Sequence, residues 1–226
     1  MRSVLWSFLA AHVLIGSSLS GQTAPSTARQ TPRTPAQEVV LLRAASIVHP
    51  VLAEYLTEGI AEAERRNAAA VVIVLDTPGG LMESTRKIAE AVQRSKVPVV
   101  IWVGPAGARA ASAGFFLLMS ADLAAMAPST NTGAAHPVGS RGEEIPGPMG
   151  DKVLEDAAAA IRALATERGR NPTIAESAVR ESRSFTASEA LAAGLIDLEA
   201  ADLPALLAAI DGKVSKRGAK HGRFET

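Results

Sequence analysis

Near the middle of the chain a serine sits among the smallest side chains, Ala110-Ala111-Ser112-Ala113-Gly114. Such neighbours let a substrate or another backbone come close to the hydroxyl. Residues 114–119 then turn apolar, as a buried helix would, so Ser112 is expected where a Gly/Pro-rich loop gives way to that helix. A hydroxyl there lies beside unpaired N–H groups and the positive end of the helix dipole, which favour a developing oxyanion. A serine at a helix start is also a common N-cap or close-packing residue. Spacing alone does not separate the two.

A second glycine-rich turn, Asp76-Thr77-Pro78-Gly79-Gly80, follows the β-branched run 71–75. Glycines between a strand and a helix can take positive φ and expose N–H groups. No Lys-Ser/Thr follows, as a P-loop requires, and no second glycine pair is spaced as in a dinucleotide fold. Two readings remain: a tight strand–helix turn, or half of an oxyanion hole whose other half is the Ala113 N–H.

A nucleophilic serine needs a base. His136 and Lys152 are the candidates, since Ser–His–acid triads and Ser–Lys pairs perform the same task. A lysine serves only where desolvation lowers its pKa towards neutrality. Lys152 is expected at the start of an Ala-rich helix, where the dipole pushes the same way, with Met149, Val153 and Leu154 to exclude water. Against this, Asp151 and Glu155 flank it as they would a solvated surface lysine. His136, between Ala135 and Pro137, could equally be a structural residue bonded to the backbone. Spacing leaves both open.

Composition narrows the class. Lys and Arg (23) balance Asp and Glu (23), and no basic patch is interleaved with aromatics, which argues against a nucleic-acid partner. Cysteine is absent, which rules out disulfides, thiolate nucleophiles and zinc–cysteine sites. The histidines at 12, 49, 136 and 221 are too scattered for a metal cluster.

Residues 1–24 have a positive start, an apolar run over 4–15 and a small polar end, the pattern of a secretory signal peptide; the rival reading is an uncleaved anchor. Residues 25–37, rich in Thr, Pro, Ala and Gln, read as a disordered spacer. The folded domain is expected over 38–211 and a polar tail over 212–226. An exported domain follows, periplasmic or otherwise extracytoplasmic.

Within 38–211, strands are expected at 39–42, 71–75, 97–103, 123–126, 131–134 and 195–197. Helices are expected from Pro50 (Val51, Leu52, Tyr55, Leu56, Ile60 and Ala63 forming its apolar stripe) and over 81–95, 151–168, 173–182, 186–193 and 202–210. Residues 140–150 read as a mobile Gly/Pro-rich loop. Strands alternating with helices give an α/β domain with a mainly parallel sheet, whose chemistry gathers at loops after strand ends. The turns at 76–80 and 104–112 are two such loops.

Taken together, Leu75-Asp76-Thr77-Pro78-Gly79-Gly80, Ala108-Arg109-Ala110-Ala111-Ser112-Ala113-Gly114 and Asn131-Thr132-Gly133-Ala134-Ala135-His136-Pro137-Val138 resemble the NfeD-like membrane-associated serine proteases. These group with the Clp protease proteolytic subunit and signal peptide peptidase A in the Clp/crotonase fold of repeated β-β-α units. The similarity runs from about residue 38 to 210 and includes Thr186-Ala187-Ser188-Glu189-Ala190 and Gly194-Leu195-Ile196-Asp197. It implies a Ser–Lys peptidase that needs no cofactor: Ser112 as nucleophile, Lys152 as base, Gly80 and Ala113 as oxyanion donors, and Gly79 and His136 lining the site. It also implies substrates that are hydrophobic segments of membrane-associated partners, stomatin-like proteins in particular, and a possible homodimer. The aspartate that orients the histidine in the Clp subunit falls on Ser182 here, which favours Lys152 over His136. Longer NfeD-like proteins continue into membrane spans and a small β-barrel.

Two rivals stay in view. A crotonase-type acyl-thioester hydratase or isomerase would use the same oxyanion hole with a glutamate pair beside it, and export from the coenzyme A pool argues against it. A non-catalytic binding module would use the cleft to hold a partner, and a solvent-facing Lys152 would favour that reading.

Overall fold

A computed structural model describes residues 38–139 and 142–213. The signal-peptide and spacer readings, and most of the tail, fall outside them. With strands and helices numbered in chain order, the frame is a five-stranded sheet of β1 (Val39–Ala44), β2 (Ala70–Leu75), β3 (Val99–Val103), β5 (Leu123–Met126) and β8 (Leu198–Glu199). They lie in the order β1-β2-β3-β5-β8, and every neighbouring pair is parallel. All of β2 and β3 is buried, as a parallel sheet covered on both faces requires.

Side chains alternate between two cores. Val71, Ile73 and Leu75 join the larger one, with α1 (Pro50–Arg65), α2 (Met82–Arg94) and α3 (Ala113–Ser120). Ala70, Val72 and Val74 face the smaller one, with Trp102 and α7 (Leu203–Ile210). Helix α1 begins where Pro50 supplies a preset φ and the His49 ring accepts the Leu52 N–H. Its stripe is Leu52, Ala53, Leu56, Ile60 and Ala63. Val51 and Tyr55, expected in that stripe, are exposed instead.

A second sheet contains the expected strand at 131–134 and two strands that were not expected. Strands β4 (Arg109–Ala111), β6 (Asn131–Gly133) and β7 (Ser184–Thr186) lie in the order β4-β6-β7, the first pair parallel and the second antiparallel. Residues 109–111 are therefore a strand, not part of the loop. β8 lies just beyond the expected 195–197, where Asp197 uses its carboxylate on the Ala124 N–H.

The remaining helices are α4 (Gly147–Glu167), α5 (Pro172–Arg180) and α6 (Ala187–Ala192). α4 starts inside the stretch read as a loop, with Pro148 in its first turn, where a missing N–H costs nothing. α6 opens on a full capping box between Thr186 and Glu189.

Two buried arginines just beyond α4 tie it to the sheet. Arg168 donates to the Ser120 carbonyl (2.7 Å) and to Asp122 (2.8 Å), and Asp122 also accepts the Val99 N–H. Arg170 donates to the Met119 and Ala121 carbonyls and to Asp197. Burial lowers the Arg170 pKa and the Asp197 carboxylate opposes that shift. Arg168→Met leaves Asp122, wholly shielded from water, without its counter-charge. The expected loss is about 3–5 kcal/mol in urea unfolding. Asp122→Asn added to Arg168→Met should recover part of it, because the orphaned charge is removed.

Candidate active site

The serine turn is held from both sides. On one side Ala110 pairs with Thr77: the Thr77 N–H donates to the Arg109 carbonyl (2.7 Å) and the Ala111 N–H to the Thr77 carbonyl (3.1 Å). Asp76 accepts the Arg109 N–H at 3.0 Å. On the other side β6 runs beside β4, and the Ser112 N–H extends that ladder to the Gly133 carbonyl (2.8 Å). With β4 fixed on both edges, the chain turns at once into α3.

That turn falls on Ser112, whose φ of 52° and ψ of −112° lie outside the regions open to ordinary residues. Such a conformation costs on the order of 1–3 kcal/mol and persists only where its surroundings impose it. Ser112 occupies the N-cap position, yet its side chain caps nothing and has no hydrogen-bond partner among the described residues. The N-cap explanation of this serine therefore fails. Ser112 is half-buried, and the Ala113 N–H behind its hydroxyl, in the first turn of α3, bonds to no acceptor among the described residues.

The glycine turn lies against it. Gly79 has φ +133°, and a Cβ there would stand 3.0 Å from the Ser112 Cβ and 3.4 Å from its Oγ. Gly80 forms a parallel bridge with Val48: the Val48 N–H donates to the Gly79 carbonyl (2.8 Å), and the Leu81 N–H to the Val48 carbonyl (2.8 Å). In such a bridge the amide of the middle residue points the other way. The Gly80 N–H accordingly has no acceptor among the described residues, and Gly80 is exposed. A Cβ at Gly80 would meet the Val48 carbonyl oxygen at 2.2 Å, so only glycine fits this approach.

The candidate bases are placed differently. His136 is half-buried, and its Nδ1 donates to the Val179 carbonyl at 3.1 Å at the end of α5. A carbonyl therefore takes the place a triad gives to a carboxylate. Ser182, at the position of the missing aspartate, is exposed. Lys152 lies in the second turn of α4, not at its start, and is exposed, as is Met149. α4 buries Ala157, Ala158, Ile161 and Ala165, and at 100° per residue Lys152 falls on the opposite side. The apolar neighbours expected to dry it do not do so within one chain. Glu83, three residues past Gly80, is the glutamate nearest the turn in sequence, and it is exposed in the first turn of α2.

Apolar side chains stand exposed around these turns. Leu81 follows Gly80, and Ile47 precedes the Val48 that clamps it. Among the described residues, no helix is long and apolar enough to cross a membrane.

The sheet order and the paired turns define an α/β domain of the Clp/crotonase kind, matching solved structures of a membrane-bound stomatin-specific protease from Pyrococcus horikoshii. A lysine-to-alanine mutant of its 1510-N fragment, in complex with a substrate peptide, superposes with a TM-score of 0.78 at 34% identity, covering 85% of this chain and 89% of that one. A serine-to-alanine mutant of the same fragment gives 0.77 at 36% identity, covering 85% and 93%.

The chain belongs to the family described as NfeD1b, N-terminal domain, which matches residues 38–216. Membrane-bound protease PH1510 of Pyrococcus horikoshii is 41% identical over 167 residues, 73% of this chain. Membrane protein NfeD1b of Bacillus subtilis is 32% identical over 106 residues, 47% of this chain. The chain spans 37% and 24% of the lengths of these two curated relatives.

Proposed function

We propose that residues 38–211 form a serine endopeptidase in which Ser112 attacks the scissile carbonyl, Lys152 takes its proton, and the Gly80 and Ala113 N–H groups hold the oxyanion. The observation that carries this reading is the strained, unengaged Ser112 set beside two unpaired backbone amides. Lys152 then protonates the leaving amine and activates the water that hydrolyses the acyl-enzyme. Lys152 is the only lysine between positions 96 and 213. It lies 40 residues after Ser112, and the mutated serine and lysine of the 1510-N structures lie 41 apart.

The substrate is a hydrophobic segment of a membrane-associated protein, a stomatin-like partner by kinship. The exposed Leu81 and Ile47, on either side of the Val48–Gly80 bridge, offer such a segment apolar surface. Because Lys152 is exposed in the single chain, the bound segment or a second copy of the domain must cover it. The domain works outside the cytoplasm, at or near a membrane.

The test is hydrolysis of a hydrophobic peptide by residues 38–213, with labelling by a fluorophosphonate serine probe. Turnover and labelling are expected together. A folded domain that binds the peptide with no turnover and no labelling would instead be the binding module that the exposed Lys152 favours.

Gly80→Ala should cut kcat by roughly 10²–10³, the worth of one oxyanion donor. The added methyl cannot coexist with the Val48 carbonyl, so the turn must shift and carry the N–H out of position.

A further inference from the structure

We infer that Thr77 is a positioning residue that locks the oxyanion turn to the nucleophile turn. The inference rests on the peptidase reading above. Thr77 is fully buried and touches both arms of the site with different parts of itself. Its backbone holds β4, which ends immediately before Ser112, through Arg109 and Ala111. Its hydroxyl donates to the Gly79 carbonyl (3.1 Å) and accepts the Gly79 N–H (3.2 Å). The Gly79 carbonyl it grips is the one that also accepts the Val48 N–H. Its methyl lies where Gly114, in the first turn of α3, leaves room: a Cβ there would stand 2.6 Å from the Thr77 Cγ2.

The consequences follow in order. Gly79 is buried, so without the hydroxyl its N–H would have no acceptor, a costly state in a protein interior. The hydroxyl thus holds the Gly79–Gly80 peptide in the orientation that turns the Gly80 N–H away from Val48. The backbone of the same residue fixes where Ser112 stands. One side chain therefore sets the distance between nucleophile and oxyanion donor, where an error of about 1 Å can cost 10²-fold in rate.

The two halves of threonine can be tested apart. Thr77→Val keeps the methyl and the volume but loses the hydroxyl, and Thr77→Ser does the reverse. Thr77→Val is expected to lower kcat roughly 10–100-fold with KM little changed, since it disturbs a contact made in the transition state. Thr77→Ser should recover at least about tenfold of that loss. By NMR hydrogen exchange, the Gly79 amide should lose protection in Thr77→Val and keep it in Thr77→Ser, while amides of β2 and β3 stay protected in both.

Wild-type kcat in Thr77→Val, equal losses in both variants, or an unchanged Gly79 amide would overturn the assignment. If wild type and Ser112→Ala both fail to turn over peptide, the peptidase reading has failed instead. The exchange experiment then decides by itself whether the Thr77 hydroxyl holds the turn.

Discussion

Ser112→Ala is expected to abolish fluorophosphonate labelling and to lower peptide turnover on the order of 10⁶-fold, as loss of a serine nucleophile does where nucleophile and base act as one unit. The same change should leave the melting temperature within a degree or two of wild type. Among the described residues the Ser112 hydroxyl has no hydrogen-bond partner, so removing it orphans no donor or acceptor there. Alanine carries a Cβ like serine and inherits the same strained backbone, so the turn and its neighbours stay in place. The contrast between total loss of chemistry and no loss of stability is the point of the experiment. A serine kept for capping or packing would give the opposite pair: a lower melting temperature and unchanged turnover. Peptide affinity should also survive, because the amides of Gly80 and Ala113 are untouched.

The frame of the domain was readable because its signals are dense. Five consecutive β-branched or leucine residues at 71–75 have no polar side to turn to water, so they mark a strand covered on both faces, and β2 is that strand. The three- and four-residue spacing after Pro50 gives α1 in the same way. Of the second sheet only β6 was readable, at 131–134, because its strands are three residues long and owe their conformation to their partners. Arg109-Ala110-Ala111 has no strand preference of its own; Thr77 on one side and β6 on the other make it a strand. The start of α4 was misread for a related reason. Pro146-Gly147-Pro148 looks like a breaker, yet proline in a first turn is a helix start.

At the site, the sequence pointed to the glycine turn and the serine as a pair, and the fold brings them within contact. It gave less notice of Thr77. The available signal was a polar residue two places after a buried strand and directly before Pro-Gly-Gly, which a solvent-facing turn has no need to bury. The exposure of Lys152 could not be read from its neighbours. Met149, Val153 and Leu154 are close in sequence, but helical geometry spreads them around α4, and only Val153 and Leu154 are partly buried.

Lys152 therefore carries the second decisive prediction. If it is the base, Lys152→Ala and Lys152→Arg should both lower the labelling rate by roughly 10²–10⁴, the usual worth of general-base catalysis. Arginine keeps the positive charge and the length but cannot give up its proton in a protein, so it can replace a lysine that binds and not one that accepts a proton. A lysine that merely attracts substrate would lose activity as alanine and keep most of it as arginine. Neither change should affect folding, because the side chain is exposed and on the far side of α4 from its buried stripe. His136→Ala provides the opposing arm. The Nδ1 bond to the Val179 carbonyl ties the segment after β6 to α5, so its loss should cost stability. Labelling should persist, since among the described residues a carbonyl, and not a carboxylate, stands behind the ring. If instead His136→Ala silences the serine and both Lys152 variants label normally, the proton leaves Ser112 through the imidazole. The Val179 carbonyl then does the orienting that an aspartate does elsewhere.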